Sequence, residues 1–174
     1  MARLSRARVV TITGPGGIGK TTLALDVGAA MADTLGDGVV VVELGTGGPD
    51  DVGAAVAAAV NAPPPGGGGD DDPLARAVAV LAGREAVVIL DGCEHVCVEA
   101  ARVAFRLAQA GPGVRVLATS QVPLGVIGEA VVTLGPLEVP PDGAEAALVR
   151  RTPAAELLAH RLDDMARPVD DDTD

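Results

Sequence analysis

Five short apolar runs recur along the chain, each separated from the next by a stretch with helical spacing. They are Arg8–Thr13, Val39–Leu44, Ala86–Asp91, Val114–Thr119 and Ala130–Leu134. The second is almost purely β-branched, and none shows the apolar–polar alternation of a sheet with one wet face. Such runs suit strands covered on both sides. Between them Lys20–Asp33, Asp50–Val60, Pro73–Leu81 and Val98–Ala110 read as helices. Pro73 fits a helix start, and Gly111-Pro112-Gly113 stops the last helix. Arg102, Arg106 and Gln109 give that last helix its polar face. The alternation predicts an α/β fold, a three-layer sandwich around a five-stranded parallel sheet.

Two stretches break the rhythm. Residues 62–72 run Ala-Pro-Pro-Pro-Gly-Gly-Gly-Gly-Asp-Asp-Asp, a low-complexity segment that reads as a surface loop. Beyond Gly135 the chain is proline-rich to Asp142, then Pro153–Met165 reads as one more helix, and Asp170-Asp171-Asp172-Thr173-Asp174 closes an acidic tail.

At 174 residues the chain has room for one α/β domain. Phe105 is its one aromatic residue, so the core has to be built from Val, Leu, Ile and Ala. A formal net charge of −11 argues against direct nucleic-acid binding, which needs clustered Lys and Arg; Arg3, Arg6 and Arg8 are too few to reverse it. No run of about 20 apolar residues offers a membrane span. The apolar run after Arg8 stops at a glycine loop rather than continuing as a secretory signal, which points to the cytoplasm. Cys93 and Cys97 flank His95 at a spacing that matches no common zinc pattern, and they read as reduced structural thiols.

One short segment carries the chemistry. Gly14-Pro15-Gly16-Gly17-Ile18-Gly19-Lys20-Thr21 has the P-loop spacing, follows the first strand and opens the first helix at Thr22. Glycines let the backbone curl with its N–H groups turned toward an anion, and the helix start adds its dipole. Lys20 is the sole lysine of the chain, all other basic residues being arginine. Its compact ammonium can reach the β- and γ-phosphates of a nucleotide, where a guanidinium fork fits poorly. Thr21 offers a hydroxyl to Mg²⁺. The segment predicts a site for ATP or ADP with Mg²⁺.

Asp91 ends the third strand after four apolar residues, as a Walker B acid does. With Thr21 it would hold Mg²⁺ at the carboxyl ends of the strands, where α/β ligand sites collect. Glu94 is the candidate for polarising a water molecule.

Three segments together, Thr11–Thr21, Val88–Val96 and Val114–Gly125, resemble the NB-ARC-like nucleotide-binding domain of STAND signalling ATPases, found in large bacterial regulators of the AfsR/SARP and LuxR type. Thr152–Arg161 is similar to the helix that opens the helical subdomain of that family. The resemblance spans about Arg8 to Arg161. It implies the strand order 5-1-4-3-2, a nucleotide-controlled switch, and a sensor region at Thr119, Ser120 and Gln121 near the γ-phosphate. The domains are then a nucleotide-binding domain over 1–140, the start of a helical subdomain over 141–167 and an acidic disordered tail over 168–174, as in a truncated member.

The chain departs from the pattern at two positions. Gln121 stands where the family commonly carries arginine, and a neutral amide cannot offset phosphate charge. Gly92 follows the Walker B acid where Asn or Asp is usual. These changes favour an ATP- or ADP-binding module with weak or no hydrolysis, with a protein partner or self-association as its output. The alternatives are a slow ATPase switch, with Asp91 and Glu94 as catalytic residues, and a small-molecule kinase.

Overall fold

The computed structural model describes residues 4, 6–65, 72–137 and 152–153. The chain divides into two compact units, Met1–Leu134 and Gly135–Asp174. In the second unit Gly135–Leu137 has no regular structure and Pro153 is helical. The expected helix over Pro153–Met165 otherwise lies outside the described residues, as do the acidic tail, Arg3 and residues 66–71 of the low-complexity loop.

In the first unit the five expected strands are all present: β1 (Val9–Thr13), β2 (Val39–Glu43), β3 (Val87–Asp91), β4 (Arg115–Ser120) and β5 (Glu129–Thr133). Every neighbouring pair is parallel, in the order β2-β3-β4-β1-β5, the expected order read from the other edge. Each strand lies within a residue or two of its predicted position.

Helices cover both faces. α1 (Lys20–Ala32) packs on one, with Ala24 buried among Val10, Ile12, Val87, Ile89 and Leu117. On the other face α2 (Val52–Ala59), α3 (Pro73–Leu81) and α4 (Cys97–Ala108) close over Val88, Leu90, Val116 and Ala118. Successive residues of β3 thus feed opposite cores, Val87 and Ile89 one way, Val88 and Leu90 the other. Side chains alternate across a strand, so a strand buried on both faces needs an unbroken apolar run.

Local sequence sets the helix starts. The Asp72 carboxylate accepts from the Leu74 N–H at 3.0 Å and Pro73 occupies the first turn, so α3 begins where proline allows. Before α2 the chain makes a 3₁₀ turn, Pro49–Asp51, in which the Asp51 carboxylate accepts from the Gly48 N–H at 2.9 Å. That turn replaces the start of the helix expected from Asp50. The reason is local: proline fixes φ, and a carboxylate three residues after Gly48 captures its amide.

Candidate functional site

Because all strands are parallel, their carboxyl ends lie together, and the loops after β1, β3 and β4 meet there. Gly19 caps α1 in the left-handed conformation (φ 98°), a geometry that glycine adopts without a Cβ clash. The loop so formed brings the Lys20 side chain back over itself. Its Nζ donates to the carbonyl oxygens of Gly14 at 3.0 Å and Pro15 at 2.9 Å, and the residue is 8% exposed. A buried ammonium is costly unless it is hydrogen-bonded, and two carbonyls meet that need while no carboxylate among the described residues pairs with it. That is the electrostatic preparation an incoming phosphate requires.

Thr21, one residue on, is exposed at the mouth of the site. Its hydroxyl lies 2.8 Å from Oδ1 and 3.0 Å from Oδ2 of Asp91, 70 residues away. Thr119 donates to the same Oδ1 at 2.5 Å and accepts from the Gly92 N–H at 2.9 Å. Two hydroxyls therefore hold one carboxylate across three elements, α1, β3 and β4. The Thr119 hydroxyl fixes both the orientation of Asp91 and the backbone that follows it. No local pattern announces this contact; only the meeting of β3 and β4 creates it.

Gly92 also has a structural reason. It is left-handed (φ 76°), and a Cβ there would stand 3.3 Å from the Gly45 amide nitrogen. The side chain that the family pattern leads one to expect is absent because the loop after β2 runs against this position.

A cleft of about 310 Å³ opens above these groups, lined by Gly16, Gly17, Gly19, Lys20, Thr21, Thr22, Gly92, Glu94 and Thr119. Glu94 lies in a short 3₁₀ turn, Cys93–His95, and its Oε2 is buried with no hydrogen-bond partner among the described residues. Ile18 is half-buried in the loop. Ser120 is buried, its hydroxyl 3.7 Å from Cys97 Sγ and accepting from the Val122 N–H at 3.3 Å; it is not among the cleft-lining residues. Gln121 is exposed just past β4, also outside the lining. Strand alternation explains the split, since Thr119 and Ser120 must face opposite sides.

The donor set suits Mg²⁺: a threonine hydroxyl, a strand-end carboxylate and a second carboxylate with an unpartnered oxygen are all hard oxygen ligands. By contrast, no group of three or more His, Cys, Asp or Glu side chains is placed to hold a metal among the described residues.

The thiols face inward or toward backbone. Cys93 donates to the Leu90 carbonyl at 3.4 Å, and Cys97 to that of Glu94 at 3.5 Å. Burial, and then the neighbouring Cys97, Glu94 and Asp91, push the Cys93 thiol up to about 12 from an ordinary 9.0. Because the folded state holds this proton more tightly, its stabilising contribution is intact below pH 9 and is lost between about pH 9 and 12. Over that window unfolding free energy should fall by about 1 kcal/mol per pH unit. The chain has no tyrosine to obscure the effect. Urea unfolding between pH 8 and 11 checks it, and a Cys93→Ala variant should show a flatter profile.

The fold and the loop together define the class: an α/β domain with the fold of P-loop NTPases. Among solved structures, Cdc6p from Pyrobaculum aerophilum superposes with a TM-score of 0.56 at 17% identity, covering 75% of this chain and 40% of that one. No model of a known protein family matches the chain. Among curated proteins of Mycobacterium tuberculosis, one provisionally named an HTH-type transcriptional regulator is 34% identical over 128 residues, covering 74% of this chain and 14% of the relative. An uncharacterized protein of the same organism is 33% identical over 142 residues, 82% of this chain and 36% of the relative. The chain thus spans well under half the length of either relative. No helix among the described residues is long and apolar enough to cross a membrane.

Proposed function

We propose that the chain binds ATP or ADP with Mg²⁺ in the Lys20 cleft, as an NB-ARC-like module of a signalling or transcription-regulatory ATPase. The observation that carries this is the buried Lys20 ammonium, held by the Gly14 and Pro15 carbonyls over a cleft lined by the loop glycines. Phosphate oxygens would take the amides of Gly16–Thr21 and the Lys20 charge, as anions do at a helix start. Thr21 and Asp91 would hold the metal, which supplies charge neutralisation on the phosphates. The kinship with a protein provisionally named a transcriptional regulator supports the regulatory part of the reading. With a net charge of −11, DNA contact would belong to other protein.

Turnover is expected to be weak or nil. Asp91 is occupied by two hydroxyls and Gly92 offers no side chain. One observation favours a slow ATPase as the second reading: Glu94 keeps a buried carboxylate oxygen free at the cleft, where it could accept a proton from water. Phosphate release, measured beside ATP and ADP affinity, separates the two. Tight binding without release supports the module. Release that disappears in Glu94→Gln supports the slow ATPase. Failure to bind either nucleotide overturns both.

Gln121 bears on the ATP-to-ADP ratio. Wild type should discriminate poorly between them. Gln121→Arg adds a charge-assisted donor just past β4; if it reaches the γ-phosphate, such a bond contributes about 1.5–3 kcal/mol and preference for ATP should rise about ten- to a hundredfold. Competition titrations give the ratio. An unchanged ratio would mean that position 121 does not reach the γ-phosphate.

A further inference from the structure

A second concavity, of about 270 Å³, lies at the amino end of the sheet. Arg6 and Arg8 before β1, Phe105 on α4, Gln109 just past its end, and Val126 and Ile127 before β5 line it. The nucleotide cleft is at the other end of β1, about 15 Å away along the strand. The two sites share no residue.

Three features distinguish this surface. First, it exposes apolar groups: Phe105, the single aromatic of the chain, is 42% exposed, and Ile127 is 89% exposed. Val98, 88% exposed, lies farther along the same face of α4, with the Glu99-paired Arg102 between it and Phe105. The opposite face of α4, with Ala100, Val103, Ala104 and Leu107, is fully buried. Exposed apolar groups gathered at one concavity, as Phe105 and Ile127 are, mark interaction sites.

Second, the groove is framed by cations in an acidic protein. Arg6 has no ion pair or hydrogen bond with any described residue, and Arg8 donates to the Ala108 carbonyl at 3.2 Å without meeting a carboxylate. Glu129, the acid that opens β5 beside the groove, is engaged: its two oxygens accept from the Leu124 and Gly125 amides at 3.0 and 2.8 Å. Arg102 on the same helix face is paired with Glu99. An aromatic ring flanked by arginines that meet no carboxylate among the described residues is the composition of an interface anchor.

Third, the concavity has the volume to take one or two inserted side chains. A helix laid along α4 would span Val98 to Phe105, seven residues or about 10 Å, with its acidic end over Arg6 and Arg8.

We infer that this face docks an amphipathic helix of a protein partner, with aliphatic residues on one side and carboxylates at one end. Aliphatic anchors enter between Phe105 and Ile127, and carboxylates meet Arg6 and Arg8. Docking is separate from the nucleotide cleft, so it stands or falls independently of that reading.

The probe is a synthetic 18-residue helical peptide with leucines at i, i+3, i+7 and i+10 and glutamates at one end, against a scrambled peptide of the same composition. Titration into the ¹⁵N-labelled chain should move the amide signals of Ala7, Phe105, Gln109 and Ile127. Phe105→Asp and Arg6→Glu change exposed side chains, and circular dichroism confirms their folding. Each should weaken binding by about tenfold or more, and Lys20→Ala should leave it unchanged. Four results would overturn the inference: no shifts with the helical peptide, equal shifts with the scrambled one, wild-type affinity in both groove variants, or sedimentation showing a dimer that Phe105→Asp dissociates. The last would assign the face to a second copy of this chain.

Discussion

Lys20→Ala should abolish nucleotide binding, with a loss of a hundredfold or more in affinity for both ATP and ADP. The side chain plays two parts. Its charge is the one cation among the described residues that line the cleft, and its Nζ ties the Gly14 and Pro15 carbonyls together at 3.0 and 2.9 Å. Truncation leaves the phosphates without a counter-charge in a partly desolvated site, where such hydrogen bonds are strongest. It also frees two carbonyl oxygens to turn toward the incoming anion, which repels it. Lys20→Arg separates these effects. It keeps the charge, but at 8% exposure there is little space for a guanidinium, so affinity should still fall steeply. Calorimetry on all three proteins gives the answer, with thermal midpoints as the check that the fold is retained. Equal affinity in wild type and Lys20→Ala would remove the P-loop reading.

Asp91→Asn should separate metal-dependent from metal-independent binding. The carboxylate accepts from Thr21 and Thr119, and an asparagine oxygen can keep one or both of those bonds. What the amide cannot keep is the negative charge beside the Thr21 hydroxyl. Mg-ATP affinity should therefore drop about ten- to a hundredfold, while metal-free ADP binding changes by less than about threefold. Equal losses with and without Mg²⁺ would make Asp91 a structural residue. Thr119→Val offers a companion test. It removes the hydroxyl that bridges Asp91 and the Gly92 amide, and leaves a part-buried N–H without that partner at a cost of about 1 kcal/mol.

Much of the fold could be read from the chain because parallel strands buried on both faces need continuous apolar runs. Val87-Val88-Ile89-Leu90 admits little else, since each of its side chains enters one of two cores. The loop at Gly14–Thr21 was equally legible, its spacing being dictated by backbone geometry within eight residues. Contacts between distant residues were not. The Thr119 hydroxyl joins Asp91 across 28 residues, and nothing in Leu117-Ala118-Thr119-Ser120 says which side chain will turn toward the loop after β3. The two-residue period of a strand sends Thr119 and Ser120 to opposite sides. The structure places Thr119 at the cleft and Ser120 against Cys97. Gly92 illustrates the converse: it read as a lost side chain, and its backbone conformation and the approach of Gly45 show why glycine stands there.

The central claim is that nucleotide phosphates sit in the loop beneath Lys20. Amide chemical shifts test it most directly, because the groups said to bind are backbone N–H groups. On adding Mg-ADP to the ¹⁵N-labelled chain, the largest changes should fall on Gly16, Gly17, Gly19, Lys20 and Thr21, with smaller ones on Gly92 and Thr119. Signals at the far end of the sheet, Phe105 and Ile127 among them, should stay in place. Saturable shifts confined to residues outside the loop, or none at saturating nucleotide, would contradict the account.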